Sequence, residues 1–206
     1  MSSRLPLIGS LVCLSIFPTL TQAAGGKVAV SDVRATVVGT PMIQPQIAGM
    51  APKRPRPGEP APLWVEVEAD FDCAEEFPEL TIRYGLVIAA ANGVKLIEGE
   101  STLIDVGRGK DRHSVMYITP KTLNKITGGK PFQAAQIKAS WVEILAQNEQ
   151  IGAKFKSSAG VTYEGIQKER EKGTIERFAE GLVNKQHTPF APLFWDYYET
   201  VRPGSK

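Results

Sequence analysis

The sequence predicts a mainly β protein, built as a two-layer antiparallel β-sandwich with a C-terminal extension. Two observations support this fold class. Between residues 27 and 158 the chain has about seven or eight short stretches of alternating or β-branched residues, which turn signals separate at intervals of about 8 to 15 residues. No segment of helical periodicity and comparable length lies between consecutive stretches, which argues against a parallel βαβ sheet. A partly closed barrel is the alternative topology.

The N-terminus has the layout of a secretory signal peptide. Arg4 supplies a positive charge, residues 5–20 are almost free of polar groups, and small residues precede the expected cleavage point. We therefore expect cleavage after Ala23, which makes residues 1–23 the signal peptide. The apolar run is shorter than the roughly 20 residues that a membrane span needs. No later run approaches that length, so we expect no membrane span after signal cleavage.

Charge and cysteine content restrict the class of protein further. The formal net charge is +2, so no large basic field exists to hold a phosphate backbone, and we expect no nucleic-acid partner. After cleavage only Cys73 remains, and one cysteine cannot close an intrachain disulfide. An exported chain without disulfides is typical of a bacterial envelope. We therefore expect the protein in the periplasm, on the outer-membrane surface or outside the cell.

The first strands surround a long proline-rich connection. Residues 27–39 are rich in β-branched side chains, with an irregularity expected at Ser31–Asp32. Residues 40–62 hold seven prolines, which favours an extended connection along a sheet edge over a polyproline ligand. Residues 63–70 alternate, which predicts that Trp64, Glu66 and Glu68 lie on a solvated face.

The other strands follow from the same alternation. Asn92–Gly93 predicts a tight turn, and Pro120 predicts a helical turn over the residues after it. The strand that begins at residue 93 is expected to break near Gly99, since glycine weakens a strand interior. The remaining predicted strands are residues 79–90, 93–107, 113–120, 134–148 and 150–158.

The sequence changes character after residue 160. Ile175, Phe178, Ala179 and Leu182 have helical spacing and form one apolar stripe. Thr174 is a suitable N-cap, so a helix is expected from Thr174 to Asn184. This divides the mature chain into a sandwich over residues 24–160 and a helical extension with an aromatic tail over residues 161–206, which packs on the sandwich.

The chain ends in a dense group of aromatic residues. Large aromatic side chains with polar atoms are enriched at interfaces. Three roles are open for the group: a lid on the sandwich, a docking site for another protein, or a platform for sugars. The candidate docking residues are Phe190, Phe194, Trp195, Tyr197 and Tyr198.

The sequence contains no catalytic or metal-binding motif. His113 and His187 lack the spacing of a helical zinc site. Acidic neighbours disfavour a thiolate at Cys73. The stretch GRGKDR, residues 107–112, lacks the spacing and the Ser/Thr of a P-loop and is predicted to be a turn. No Gly-x-Ser-x-Gly elbow occurs. We expect no cofactor, no metal and no enzymatic activity; an enzyme would need a carboxylate cleft that the sequence does not reveal.

The chain resembles immunoglobulin-like envelope proteins in its layout and in two stretches, residues 139–155 (ASWVEILAQNEQIGAKF) and 188–199 (TPFAPLFWDYYE). It is similar to proteins associated with type IV pilus-like systems of gut Verrucomicrobia. The resemblance implies an immunoglobulin-like β-sandwich. Because the chain lacks the long N-terminal apolar helix of pilins, the resemblance implies an accessory or surface role rather than a pilin subunit.

The leading functional hypothesis is therefore a noncatalytic envelope protein that acts in protein–protein interaction or assembly, accessory to a type IV pilus-like system. Its partners would be envelope or pilus-associated proteins. The alternative is a secreted glycan-binding module, in which an exposed Trp64 or Trp195 would stack against a sugar.

Overall fold

Two facing sheets form the protein in the computed structural model, which describes residues 27–41, 61–90, 92–158, 160–178, 181–194 and 196–204. The predicted signal peptide and residues 42–60 of the proline-rich connection lie outside the described residues. The strands are β1 (Val28–Gly39), β2 (Leu63–Cys73), β3 (Phe77–Ala90), β4 (Gly93–Val106), β5 (Gly109–Ile118), β6 (Ile137–Ala146), β7 (Glu149–Ser157), β8 (Glu176–Phe178) and β9 (Val183–Asn184). The helices are α1 (Pro120–Thr127) and α2 (Tyr163–Glu171), with short 3₁₀ turns at Ala134–Gln136 and Lys185–His187.

The strand order confirms the predicted antiparallel sandwich. One sheet, called sheet A, has the order β1-β2-β5-β9, and the other, sheet B, has the order β7-β6-β3-β4-β8. All pairs are antiparallel except β4 with β8. In sheet A, β1, β2 and β5 correspond to strands A, B and E of an immunoglobulin-like sandwich. In sheet B, the facing strands β7, β6, β3 and β4 correspond to G, F, C and C′. The chain changes sheets after β2, β4, β5 and β8, which excludes the simple meander of an up-and-down barrel.

Local sequence explains several of the turns and ends. The pairing of β1 with β2 shifts register between Val30 and Asp32, which confirms the irregularity predicted there. Helix α1 begins with a hydrogen bond from Thr122 N–H to the Thr119 hydroxyl (3.1 Å). It ends at Gly128, whose φ is +63°. The turn predicted over residues 107–112 is mostly wrong: the chain bends only at Gly107–Arg108, where it passes from one sheet to the other, and residues 109–112 lie in β5.

The core lies between the sheets and follows the predicted period of two. In β2 the side chains of Val65, Val67, Ala69 and Phe71 are fully buried. Facing residues of sheet B complete this layer, and burial of such apolar area is the main term that stabilises the fold. The largest fully buried side chains of this layer from β3 and β4 are Leu80, Ile82, Tyr84, Leu86, Ile88, Ile97 and Leu103.

The outer face of sheet B is covered by α2. Trp141 of β6 lies flat over Gly85, where an added Cβ would meet the indole at 2.1 Å. Tyr163 of α2 packs edge-on against Trp141, with ring centroids 5.8 Å apart, and its hydroxyl donates to Glu143 Oε1 (2.5 Å). Ile166 and Ile175 complete this second apolar cluster.

No described helix is long and apolar enough to cross a membrane.

The helix predicted from Thr174 to Asn184 is wrong. The chain forms β8 and β9 in this interval, and the helix of the extension lies earlier, at α2. The members of the predicted stripe separate: Ile175 joins the α2 cluster, Phe178 lies in β8, and Leu182 enters the main core. Ala179 lies outside the described residues. Pairing with the free backbone groups of two sheet edges therefore outweighs the amphipathic pattern in this short segment.

Gly99 has a different role from the strand break predicted for it. Strand β4 is continuous through this residue. A Cβ on Gly99 would lie 2.5 Å from Leu182 Cβ and 3.2 Å from Met116 Cε. The missing side chain leaves space for Leu182 to enter the core between β8 of sheet B and β9 of sheet A. Gly99 therefore allows the C-terminal extension to cross from one sheet to the other.

We predict that Gly99→Ala destabilises the protein by about 1–3 kcal/mol, because the new methyl group overpacks the site of Leu182. Gly39→Ala is the matched control, since its Cβ would lie 3.8 Å from the nearest atom, Ala61 Cβ. Chemical denaturation measures both. In the double variant with Leu182→Ala the cost of the added methyl group should shrink; an unchanged cost would contradict this role of Gly99.

Candidate functional site

The last described residues form a tail, defined here as residues 185–204, that lies on the outer face of sheet A. Phe190 is its buried anchor. The Phe190 ring stacks on Tyr117 of β5, with centroids 4.6 Å apart and planes at 8°. It meets Trp64 of β2 edge-on at 5.5 Å. Such aromatic pairs contribute about 0.5–1.5 kcal/mol each beyond the area that they bury.

The solvated position predicted for Trp64 is therefore wrong. Trp64 is 8% exposed, and its Nε1–H donates to the Thr40 hydroxyl (2.9 Å). Phe190 is 6% exposed. Both side chains are used inside the protein, so neither presents a free ring face to a sugar or to another protein. Period-two alternation correctly places Trp64 on the outer face, but does not show that the tail covers this face.

Hydrogen bonds fix the first part of the tail. Lys185 Nζ donates to the Ala191 carbonyl (3.0 Å) and lies 5.4 Å from the Tyr198 ring centroid. Burial lowers the pKa of Lys185. The Thr188 hydroxyl donates to the Lys185 carbonyl (2.7 Å) and accepts from Phe190 N–H (3.1 Å). These contacts hold the backbone on both sides of Phe190 in one conformation.

The end of the tail returns to sheet B. Glu199 N–H donates to the His113 carbonyl (2.9 Å), and the Glu199 carboxylate accepts from Arg112 (3.1 Å). Thr200 then accepts from Ile104 N–H (2.9 Å), and Arg202 N–H donates to the Thr102 carbonyl (2.8 Å). The tail therefore pairs with an edge of each sheet and is held at both ends.

The middle of the tail presents aromatic rings to solvent. Phe194 is 68% exposed, and its φ of +50° lies in the left-handed region, which is unusual for a bulky residue. Tyr197 is 44% exposed and stacks on His113, with centroids 3.9 Å apart. Tyr198 is half-buried and meets Tyr197 edge-on. Trp195 lies outside the described residues.

A charged cluster lies below Tyr197. Arg34 of β1 contacts both Glu68 (3.2 Å) and Asp70 (2.7 Å) of β2. His113 Nδ1–H donates to Asp70 Oδ1 (2.9 Å). Glu68, Asp70 and His113 each offer a possible metal-ligand atom, all within 4.8 Å of one another. Arg34 already pairs with both carboxylates and offsets part of their charge.

Glu66 and Glu68 do not form the solvated face that alternation predicts. The Glu66 carboxylate accepts from the Tyr117 hydroxyl (2.8 Å). Burial raises the pKa of Glu66, although the Tyr117 hydrogen bond opposes part of this rise. Burial and the nearby Glu66 carboxylate also raise the pKa of Tyr117. The tail therefore brings carboxylates that sequence reasoning assigned to solvent into a partly dehydrated layer.

Cys73 packs in the main core. It is the last residue of β2 and is buried. Burial raises the pKa of its thiol to about 11, so the reactive thiolate is scarce at neutral pH. A cleft of about 290 Å³ beside it is lined by Lys27, Arg108 and Lys110 among others. Lys27 pairs with Glu75 (2.8 Å).

Sequence reasoning missed the charged cluster as a unit. The acidic residues at alternate positions of β2 are visible in the sequence, but Arg34 and His113 come from strands on either side of β2. Only the pairing of Arg34 with Glu68 and of Asp70 with His113 brings them together. An alignment of β1 and β5 against β2 by their inward apolar residues would have placed them in register.

Comparisons with known proteins support the fold. A protein-family model matches residues 19–204, which is most of the chain. The comparison with curated proteins gives no match. A crystal structure of a protein from Akkermansia muciniphila is similar, with a TM-score of 0.64 and 17% identity over 87% of this chain and 95% of that chain. At this identity the similarity shows the fold alone.

A weaker similarity involves Pseudomonas fluorescens alkylpurine DNA glycosylase AlkC bound to DNA containing an abasic site analog. Its TM-score is 0.28, with 14% identity over 65% of this chain and 30% of that chain. This similarity is too weak to support an inference about fold or function.

We predict that Phe190→Ala destabilises the protein by about 3 kcal/mol, because it removes a buried ring between Trp64 and Tyr117. Phe194→Ala should change stability by less than about 0.5 kcal/mol, since its ring is mostly exposed. Denaturant unfolding compares the two variants. Equal losses would show that the Phe194 ring also packs inside the protein.

We predict that Glu66→Gln stabilises the protein at neutral pH. Burial raises the folded-state pKa of Glu66, so the folded state holds the proton more tightly than the unfolded state, and wild-type stability falls as pH rises through the interval between the two values. The amide cannot ionise and still accepts from Tyr117. The gain should therefore be larger at pH 7 than at pH 4. The exposed Glu76 is the control position, where Glu76→Gln should give no such trend.

Proposed function

We propose that this chain, which belongs to the family whose model matches residues 19–204, is a noncatalytic exported protein of the bacterial envelope. It binds another envelope protein, and the exposed aromatic residues of the tail make the contact. One observation carries the proposal. Phe194 holds a strained left-handed backbone and an exposed ring, while the tail on both sides of it is fixed to the sandwich.

The strain at Phe194 supports a binding role. A left-handed conformation costs an L-residue roughly 1–2 kcal/mol, and glycine would avoid that cost. The exposed ring regains little of it by burial within the chain. Strained residues of this kind cluster at binding sites, where the surrounding structure holds them in place. A hydrophobic ring on a fixed backbone also loses little entropy when it binds a partner.

An accessory role in a type IV pilus-like system is the specific form of this proposal. The sequence resemblance to envelope proteins of gut Verrucomicrobia supports it, and the shared fold with the Akkermansia muciniphila protein is consistent with it. The signal-peptide layout of residues 1–23 supports export. In this role the sandwich is a rigid support, and the tail is the surface that recognises an assembly component.

A glycan-binding module is the second candidate, and Tyr197 is the observation that favours it. Its exposed ring lies above Glu68 and Asp70, and an aromatic face beside carboxylates suits a sugar ring and its hydroxyl groups. Trp64 cannot be this platform because it is buried. The two candidates therefore differ in the role of Phe194: protein docking through the tail requires its ring, whereas a sugar bound at Tyr197 does not.

We predict that Phe194→Gly preserves or slightly raises stability, by up to about 1 kcal/mol, because glycine relieves the left-handed strain. The same variant should lose protein partner capture. The measurement is crosslinking in the native cells, followed by affinity capture and mass spectrometry. The control is Val94→Ala, which changes another exposed apolar residue, in β4 and away from the tail.

Three outcomes separate the candidates. Capture of an envelope or pilus component by the wild type and by Val94→Ala, but not by Phe194→Gly, supports the docking tail. Sugar binding that Tyr197→Ala abolishes and Phe194→Gly preserves supports the glycan module instead. Capture that is the same in every variant would refute a contact through the tail.

A further inference from the structure

We propose that the outer edge of β1 over Ala35–Gly39 pairs with the same edge of a second copy, so that two sandwiches share one continuous sheet. The proposal does not depend on the docking tail. A strand edge that keeps free backbone groups is a template for pairing with another chain, and the two sides of the sandwich differ in how far their edges are closed.

The side of the sandwich formed by β4 and β5 is closed by the C-terminal extension. Strand β8 pairs with β4 over Lys95–Ile97, and Val201 pairs with Leu103 further along the same edge. On sheet A, β9 pairs with β5 at Met116 and Tyr117. Within the described residues, these contacts use the backbone groups of both outer edges along much of their length.

The opposite side is closed over only half of its length. The beginning of β1 lies beside β7, where a Cβ on Gly152 would be 3.1 Å from the Val28 carbonyl oxygen. Lys156 Nζ contacts Asp32 Oδ1 further along (3.2 Å). These two contacts show that the strands run in the same direction. Because β7 ends at Ser157, it does not accompany the second half of β1.

Among the described residues, nothing gives that second half the usual protection of an edge strand. The residues from Ala35 to Gly39 carry no charge, proline or bulge, whereas the first half has both a bulge and the charges of Asp32 and Arg34. On its other edge this segment pairs with β2. No described strand pairs with its outer edge. The segment is therefore a short β-branched strand of the kind that recruits another strand.

The side chains on this edge are self-complementary, which identifies a second copy as the occupant. Ala35 and Val37 are half-buried and pack on the main core, while Thr36 points to solvent. In an antiparallel pair centred on Thr36, Ala35 of each copy lies opposite Val37 of the other copy. Each of these side chains then covers the exposed part of the side chain opposite it. Arg34 then lies opposite Val38 of the second copy, and no like charges oppose each other. A two-fold axis relates the copies.

Cysteine at the centre of this pair is the sharpest test. In the proposed register Thr36 faces its own copy with Cβ atoms about 4.5–5.5 Å apart, close to the geometry of a disulfide. Thr36→Cys in the exported protein should therefore form a disulfide-linked dimer under mild oxidation with copper phenanthroline. The matched control is Thr200→Cys, an exposed threonine on the tail. Cys73 is buried and its thiol pKa is about 11, so it should not compete.

Charge at the same position gives an independent measurement. Thr36→Lys places two lysines opposite each other, and the dissociation constant of the dimer in sedimentation velocity should rise at least tenfold. The Tm should stay unchanged at concentrations low enough to keep both proteins monomeric. Thr200→Lys should leave the constant as in the wild type. The proposal is overturned by a wild type that stays monomeric at every concentration. The proposal is also overturned if a dimer forms but Thr36→Lys does not weaken it and Thr36→Cys crosslinks no more than the Thr200→Cys control.

Discussion

The contact of Leu182 with the backbone of Gly99 is the constraint on which the C-terminal half of the structure depends. Before it, β8 adds to sheet B; after it, β9 adds to sheet A. A chain that leaves one sheet and joins the other must cross the open side of the sandwich, and a buried leucine fixes that crossing. The entry of the tail onto the outer face of sheet A follows directly, since only a few residues separate Leu182 from Phe190.

The covered face of sheet A gives the site its chemistry. An immunoglobulin-like sandwich needs only its inner faces to be apolar, and β2 accordingly carries acidic residues on its outer face. The tail dehydrates that face, so Glu66 needs the Tyr117 hydroxyl, and Glu68 and Asp70 need Arg34. The aromatic residues divide between two tasks. Phe190 fixes the tail, while Phe194 and Tyr197 remain on its solvent side.

Local sequence predicts the sandwich well and the extension poorly, for physical reasons. Alternation over residues 63–70 and the turn at Asn92–Gly93 report each strand's own environment, so the strands and the two-sheet class can be read directly. The spacing of the apolar residues from Ile175 to Leu182 fits a helix as well as it fits the strands that the chain forms there. Whether a helix forms depends on unpaired edges of β4 and β5, which lie about 70 to 80 residues earlier in the chain. The burial of Trp64 and the charged cluster fail to show in the sequence for the same reason, since each requires a register between distant segments.

The two proposed contact surfaces lie on the same sheet, and their geometry connects them. The tail occupies the outer face of sheet A, and the edge of Ala35–Gly39 belongs to β1, the first strand of the same sheet. A two-fold axis through a continuous antiparallel sheet is perpendicular to that sheet, so both copies would direct their tails to the same side. Two linked sites facing one way can bind a repetitive surface far more tightly than either alone, because the second contact becomes intramolecular. An accessory protein of a filament would gain from this arrangement even if each exposed pair of rings bound weakly.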